Sequence, residues 1–326
     1  MTPAAADFVL AVETQVQACL AAGAAAPGST SQVLSQAARH LCLGGSAKRL
    51  RPVLVRLTGE LVGAPAAGLR DVAVAAELIH ASSLLHDDVV DEGALRRGRP
   101  TANVVFGNAV AVLAGDWLLS RAIQHLRPYA PVITFEAVDC IAEMAGGAVA
   151  ELEARGRADL TLPALRVISE GKTGALFAWC GRAAAHLAGR SADALVLERF
   201  GRHLGVAFQM ADDLKDLSDE HGGKERFADV RAANPSFALA HASQASPAFA
   251  CALADAWARG ALSEEEVARL GKQAFAAGAL PAAGALDAEL SAAAFALAPL
   301  SPDAWRERFA PLAAAFTRDL PGMRAA

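Results

Sequence analysis

No stretch of about 18 uninterrupted apolar residues occurs in this 326-residue chain, which argues against a transmembrane segment. The opening MTPAAADFVLAVETQV lacks a basic segment and carries Asp7 and Glu13, so no secretory leader is expected. The five cysteines (Cys19, Cys42, Cys140, Cys180 and Cys251) form no C-x-x-C pair and are odd in number. That usage argues against a zinc site or disulfide frame and fits buried thiols in a reducing, cytoplasmic setting. A large excess of one charge is also missing. The formal net charge is −5, so no nucleic-acid partner is expected, and an anionic ligand would need a local basic cluster. Period-two alternation, a fixed repeat, a low-complexity tail and an interdomain linker are all absent.

What is abundant is apolar surface, 54% of residues and much of it alanine, the best helix former. Apolar positions recur three and four apart, with breaks at Gly or Pro. Helices are expected over 5–22, 31–43, 51–63, 69–90, 107–127, 132–155, 162–188, 193–218, 246–259, 264–276, 278–296 and 303–317. Thr30 or Ser31 can cap the second, and Ser263–Glu264–Glu265 suits the start of the tenth. Two long polar connections, 92–103 and 218–236, each follow an acidic helix end, and loops of that length in a compact bundle usually carry function. The expectation is one all-α domain over 1–326.

Those acidic helix ends are the sharpest feature. LLHDDVVDE holds Asp87, Asp88 and Asp91, and FQMADDLKD holds Asp212, Asp213 and Asp216, about 125 positions later. In each, the first and last aspartates are four apart and share a helix face. Three carboxylates in one turn repel one another, and a cation relieves the repulsion. Mg²⁺ takes oxygen ligands and shares itself with substrate phosphates, so two such walls suit a metal-bound diphosphate.

Diphosphates also need cations from the protein. Lys48, Arg49 and Arg51 lie in GGSAKRLRP, Arg96 and Arg97 follow the first acidic motif, and Lys172 and Thr173 lie in EGKTGALF. Lys172 sits in an apolar stretch, where a lysine wants a partner and a ligand anion is one candidate. His80 lies two turns before Asp87 on the same helix face.

The ordered series GGSAKRLRP, IHASSLLHDDVVDEGALRRGRPTANVVFGN, AVLAGDWLL, EGKTGALF and GVAFQMADDLKD resembles the trans-isoprenyl diphosphate synthases, or polyprenyl synthetases, strongly over about residues 40–220. The resemblance implies a large antiparallel helical bundle around a deep central cavity, usually a homodimer. It implies that Asp87, Asp91 and Asp212, with Asp88, Asp213 and Asp216 in the catalytic set, bind Mg²⁺, three ions per site with substrate. Lys48, Arg51, His80 and Arg97 would hold isopentenyl diphosphate. Arg96, Lys172, Thr173 and Gln209 would touch the allylic diphosphate or its metal shell, and Lys224 would serve as a loop cation. The small Ser82 and Ser83, five and four positions before Asp87, imply a linear all-trans product of C20 or longer.

This chain departs from that pattern in several places. Ser46 and Ala47 separate Gly45 from Lys48, Asn234 stands where a lysine is expected, and the mid-chain helix reads GGAVAELE with Ala148 and Glu151. Two other readings stay open: a catalytically weak subunit of a heteromeric synthase, and a terpene cyclase.

Overall fold

Alanine-rich sequence becomes helix almost wherever it is not interrupted by Gly, Pro or a polar run. The computed structural model describes residues 3–22, 31–43, 49–218, 226–318 and 320. Its elements begin with α1 (Pro3–Ala22), α2 (Ser31–Cys42), α3 (Leu50–Val62) and α4 (Ala66–Val90). A hairpin of β1 (Leu95–Arg96) and β2 (Arg99–Pro100) follows, then α5 (Ala102–Phe106), α6 (Asn108–Leu126), α7 (Pro131–Ala154) and α8 (Leu162–Ser169). A π-turn at Glu170–Gly174 leads into α9 (Ala175–Leu187) and α10 (Ala194–Leu217). The chain ends with α11 (Ala228–Arg231), α12 (Phe237–Ala245), α13 (Pro247–Arg259), α14 (Glu264–Leu297), a π-turn at Trp305–Phe309 and α15 (Ala310–Thr317).

These elements form two compact units, Met1–Asp139 with Trp179–Leu197, and Cys140–Ala178 with Glu198–Ala326. In the first, α4 is central. Val72, Ala73, Ala75, Ala76, Leu78 and Ile79 are buried in an almost unbroken run. α6 lies close against it because Gly115 has no side chain, and a Cβ there would overlap the ring of His86. Arg49, just before α3, adopts φ 47, and its guanidinium bonds Glu77 (2.5 Å), Glu13 (3.0 Å) and the Cys42 carbonyl (3.1 Å). Arg49 therefore ties α1 and α3 to α4.

In the second unit, Gly201 and Gly205, one turn apart on α10, let that helix meet the backbone at Phe177 and Gly174. Beside them run the aromatic pairs Phe177–Phe208 (5.7 Å between centroids), Phe208–Phe316 (5.5 Å) and Phe200–Phe309 (4.6 Å). α14 runs unbroken through Pro281, where two helices were expected. Its buried stripe, with Ala274, Gly278, Ala282 and Leu286, packs against α12, and this burial offsets the hydrogen bond that proline forfeits. Ser263 opens α14 with a full capping box to Glu266. Among the described residues α14 is also the one helix long and apolar enough, by length and composition, to cross a membrane.

Two further expectations change. The chain was read as having no strand, yet Arg96 pairs with Arg99 in a two-residue hairpin. Arg97 (φ 53) and Gly98 (φ 72) both take the positive φ that such a tight turn needs. Residues 228–231 and 237–245, read as loop or left unassigned, are α11 and α12. Side chains remote in sequence start both, as the site makes clear.

Candidate active site

Each acidic motif occupies the C-terminal end of its helix. Asp87 and Asp88 lie in the last turn of α4 and Asp91 caps it, its N–H bonded to the Asp87 carbonyl (2.8 Å). The last turn of α4 holds no basic residue. A helix C-terminus carries partial negative charge, so this is the wrong end for carboxylates unless a cation is bound there. The three aspartates nevertheless differ. Asp88 is only 4% exposed, and Arg96, reaching back from the hairpin, bonds its Oδ1 (2.8 Å). Its other oxygen is buried with no hydrogen bond. Asp87 is half-buried and Asp91 exposed.

The second motif divides the same way. Asp213, 6% exposed, accepts from the Gln209 side chain (2.9 Å) and from the backbone N–H of Phe237 (2.8 Å), which starts α12. Asp216 accepts from the N–H groups of Ala228 (2.9 Å) and Asp229 (3.1 Å) and so starts α11. Asp212 is exposed. In both motifs the middle aspartate is buried and organises the protein, while the first is more exposed, Asp87 partly and Asp212 fully.

Burial pushes the Asp213 carboxyl up to about 7; Gln209 and Phe237 oppose the rise, and the charges of Asp212 and Glu151 add to it. A raised carboxyl pKa is a stability penalty. It is absent below the ordinary value of 3.8, grows as pH rises from there, and is complete above about 7. In urea unfolding with chelator, Asp213→Asn is therefore expected to gain stability relative to the parent between pH 4 and pH 8. A pH-independent difference between the two proteins would contradict this.

Close by, Lys172 lies in the π-turn and is bound by Glu151 of α7. Thr173 donates to Gln209 (3.1 Å), which links the π-turn to Asp213. Asn234, in the position of the expected lysine, donates to Asp229 (3.3 Å). Asp229 is a carboxylate that the sequence reading did not single out. Burial first, then Asp213 and Asp216, hold it well above the usual carboxylate range. Its spacing from Asp216 carries no helical signature, since a turn intervenes.

Arg51, His80, Arg96 and Arg97 belong to the first unit, and Lys48, like Lys224 of the second acidic loop, lies outside the described residues. Arg51 is buried in the first turn of α3. His80 is half-buried on α4, and desolvation, followed by Arg51, Arg96, Arg97 and Arg49, depresses its imidazole well below the usual range. Arg97 is exposed at the hairpin turn, and burial of its charge, with Arg96 and Arg49, lowers its pKa. Arg96, Arg97 and Arg99 line a small cleft with His40 and Thr101. Arg49, read with this cluster, faces Glu77 and Glu13 instead. Ser82 is fully buried and donates to the Gly115 carbonyl (2.9 Å), so it belongs to the α4–α6 contact. Ser83 is half-buried and bonds back to the His80 carbonyl (2.9 Å).

Among the described residues no three His, Cys, Asp or Glu side chains are already converged on a metal position. Mg²⁺ commonly uses one or two carboxylates and completes its shell with water and substrate oxygens, a donor set that the aspartates of either motif can supply. The helix-end placement of the carboxylates fits a cation as well.

A crystal structure of polyprenyl synthase from Caulobacter crescentus, complexed with calcium and isoprenyl diphosphate, superimposes with a TM-score of 0.85 at 30% identity, covering 96% of this chain and 97% of that one. The fold is therefore the all-α isoprenoid synthase fold. The polyprenyl synthetase family model matches residues 31–274. Octaprenyl diphosphate synthase of Escherichia coli is 36% identical over 221 residues, 66% of this chain and 67% of that one. Farnesyl diphosphate synthase of Geobacillus stearothermophilus is 39% identical over 199 residues, 56% of this chain and 66% of that one. The chain belongs to the polyprenyl synthetase family, the trans-prenyl diphosphate synthases.

Proposed function

We propose that this protein condenses isopentenyl diphosphate with an allylic diphosphate to give a linear all-trans product of C20 or longer. The observation that carries this reading is the paired helix-end motif in which Asp87, Asp91 and Asp212 are left at or near the surface while Asp88 and Asp213 are used internally. Asp87, Asp91 and Asp212 would hold the Mg²⁺ ions, three with substrate bound. When bound, the metal offsets negative charge on the departing diphosphate as the allylic C–O bond ionises.

The protein's own groups do the rest. Lys172, Thr173 and Gln209 would orient the allylic diphosphate, and Arg96 holds Asp88 in place. Arg51 and Arg97 supply fixed positive charge to isopentenyl diphosphate, together with Lys48. His80, kept neutral first by desolvation and then by its arginine neighbours, offers a hydrogen bond without changing charge near pH 7. The cation left by ionisation is attacked by the isopentenyl double bond, and a proton then leaves. Apolar walls must keep water from trapping that cation.

The family match runs from 31 to 274 through parts of both units, which supports treating 1–326 as a single domain. None of the five cysteines is in a disulfide, which supports a cytoplasmic setting. Val104, Val105 and Leu113 of α5 and α6 and Phe135 of α7 are exposed in the first unit, Phe135 by 67%, and we assign these apolar side chains to a homodimer contact.

Product length rests on Ser83, a small residue one turn below Asp87. Incubation with isopentenyl diphosphate and, separately, geranyl, farnesyl and geranylgeranyl diphosphates should give products of C20 or longer on chromatography. Ser83→Phe should shorten the main product by one or more isoprene units. A parent product of C15, or an unchanged product from the variant, would refute the assignment of Ser83.

A further inference from the structure

The ion pair between Lys172 and Glu151 is in an unexpected place for a lysine meant to hold an anion. It follows from backbone contact. Gly147 of α7 lies so close to the π-turn that a Cβ there would overlap the Lys172 amide nitrogen, and Gly171 returns the contact from the other side. Glu151 is four residues beyond Gly147, on the same face of α7, so it is delivered to the Lys172 ammonium. Both side chains are largely screened, Lys172 with 26% and Glu151 with 20% of its side chain exposed. The carboxylate of Glu151 also adds to the charge felt by Asp213. Its negative charge therefore lies beside the anion-binding lysine and within reach of the second acidic motif.

We propose that Glu151 is an intramolecular competitor for Lys172, and that it sets the affinity for the allylic diphosphate by occupying the ammonium until substrate displaces it. This rests on the reading of Lys172 as a diphosphate ligand. Displacement costs twice: the ion pair is broken, and the released carboxylate faces both the incoming phosphate oxygens and the aspartates. Glu151 is thus a positioning residue that acts through Lys172. A glutamine there keeps the size and a hydrogen-bond acceptor for the ammonium but removes the charge. The diphosphate then meets a lysine held in the same place by a weaker partner.

The test is calorimetric titration of inorganic diphosphate with Mg²⁺ into the full-length, substrate-free protein. It compares the parent with Glu151→Gln, Lys172→Gln, the double variant and Glu153→Gln. Glu153 is exposed on the same helix and controls for loss of one negative charge. Glu151→Gln should tighten binding about fivefold, the scale of a partly screened ion pair. In turnover it should lower KM for the allylic diphosphate and leave KM for isopentenyl diphosphate unchanged. The gain should vanish when Lys172 is already glutamine, and Glu153→Gln should not reproduce it. If Glu151→Gln leaves binding unchanged or weakens it, or gains equally without Lys172, the competitor role is wrong. If Lys172→Gln weakens binding in that case, Lys172 remains a ligand and only the inference fails. If Lys172→Gln binds as tightly as the parent, the assignment of Lys172 fails and the inference with it.

Discussion

Asp212→Asn is expected to lower the rate of prenyl transfer by about 10²–10³-fold or more, the usual cost of removing one group that stabilises charge in a transition state. The unfolding midpoint without metal should barely move. Asp212 is exposed, and asparagine fits at its position near the C-terminal end of α10 as well as aspartate does. Asp87→Asn at the end of α4 should behave alike. Asp88→Asn and Asp213→Asn should each move that midpoint. Asp88→Asn should lower it through loss of the Arg96 pair. Asp213→Asn should shift it by an amount that turns more favourable as pH rises, because Asp213 is buried against Gln209 and the start of α12. Steady-state rates and urea midpoints measured side by side separate the two groups. Equal loss of stability in all four asparagine variants would show that the division is not real.

Arg49→Met carries the largest expected effect on stability, about 3–5 kcal/mol. Glu77 is 6% exposed in the middle of α4, and Arg49 bonds it at 2.5 Å. Without the guanidinium a carboxylate is left buried without its counter-charge, and α1 loses its link through Glu13 (3.0 Å). Chemical denaturation reads the loss. The double variant Arg49→Met, Glu77→Gln should recover much of it, since the stranded charge is gone. A loss below about 1 kcal/mol, typical of a surface pair, would mean that Arg49 is solvated and belongs with Arg51 as a ligand-facing cation.

Arg49 also shows where sequence reading stops. GGSAKRLRP announces three cations, but nothing in it tells which one turns toward the core, because Glu77 and Glu13 come from other helices. The helical scaffold was legible because alanine propensity and three-four spacing are local. The hairpin at Arg97–Gly98 was not, since one of its two positive-φ residues is an arginine. α11 and α12 were missed for a related reason: Asp216 and Asp213 start them, from 12 and 24 residues away. The motif aspartates were visible as a set, but their division into inward and outward members depends on burial. Glu151 was visible as a departure from the family pattern, and only the close approach of Gly147 to the π-turn gives it a partner.

The most direct measurement is incorporation of labelled isopentenyl diphosphate by the purified chain alone, with an allylic primer, in Mg²⁺ and again in chelator. Discrete prenyl diphosphates that require both the primer and the metal are the predicted result. Folded protein that yields no product from any primer, or that turns over the allylic diphosphate without isopentenyl diphosphate, would contradict the account. The first outcome would make the chain a subunit of a larger synthase, and the second a cyclase.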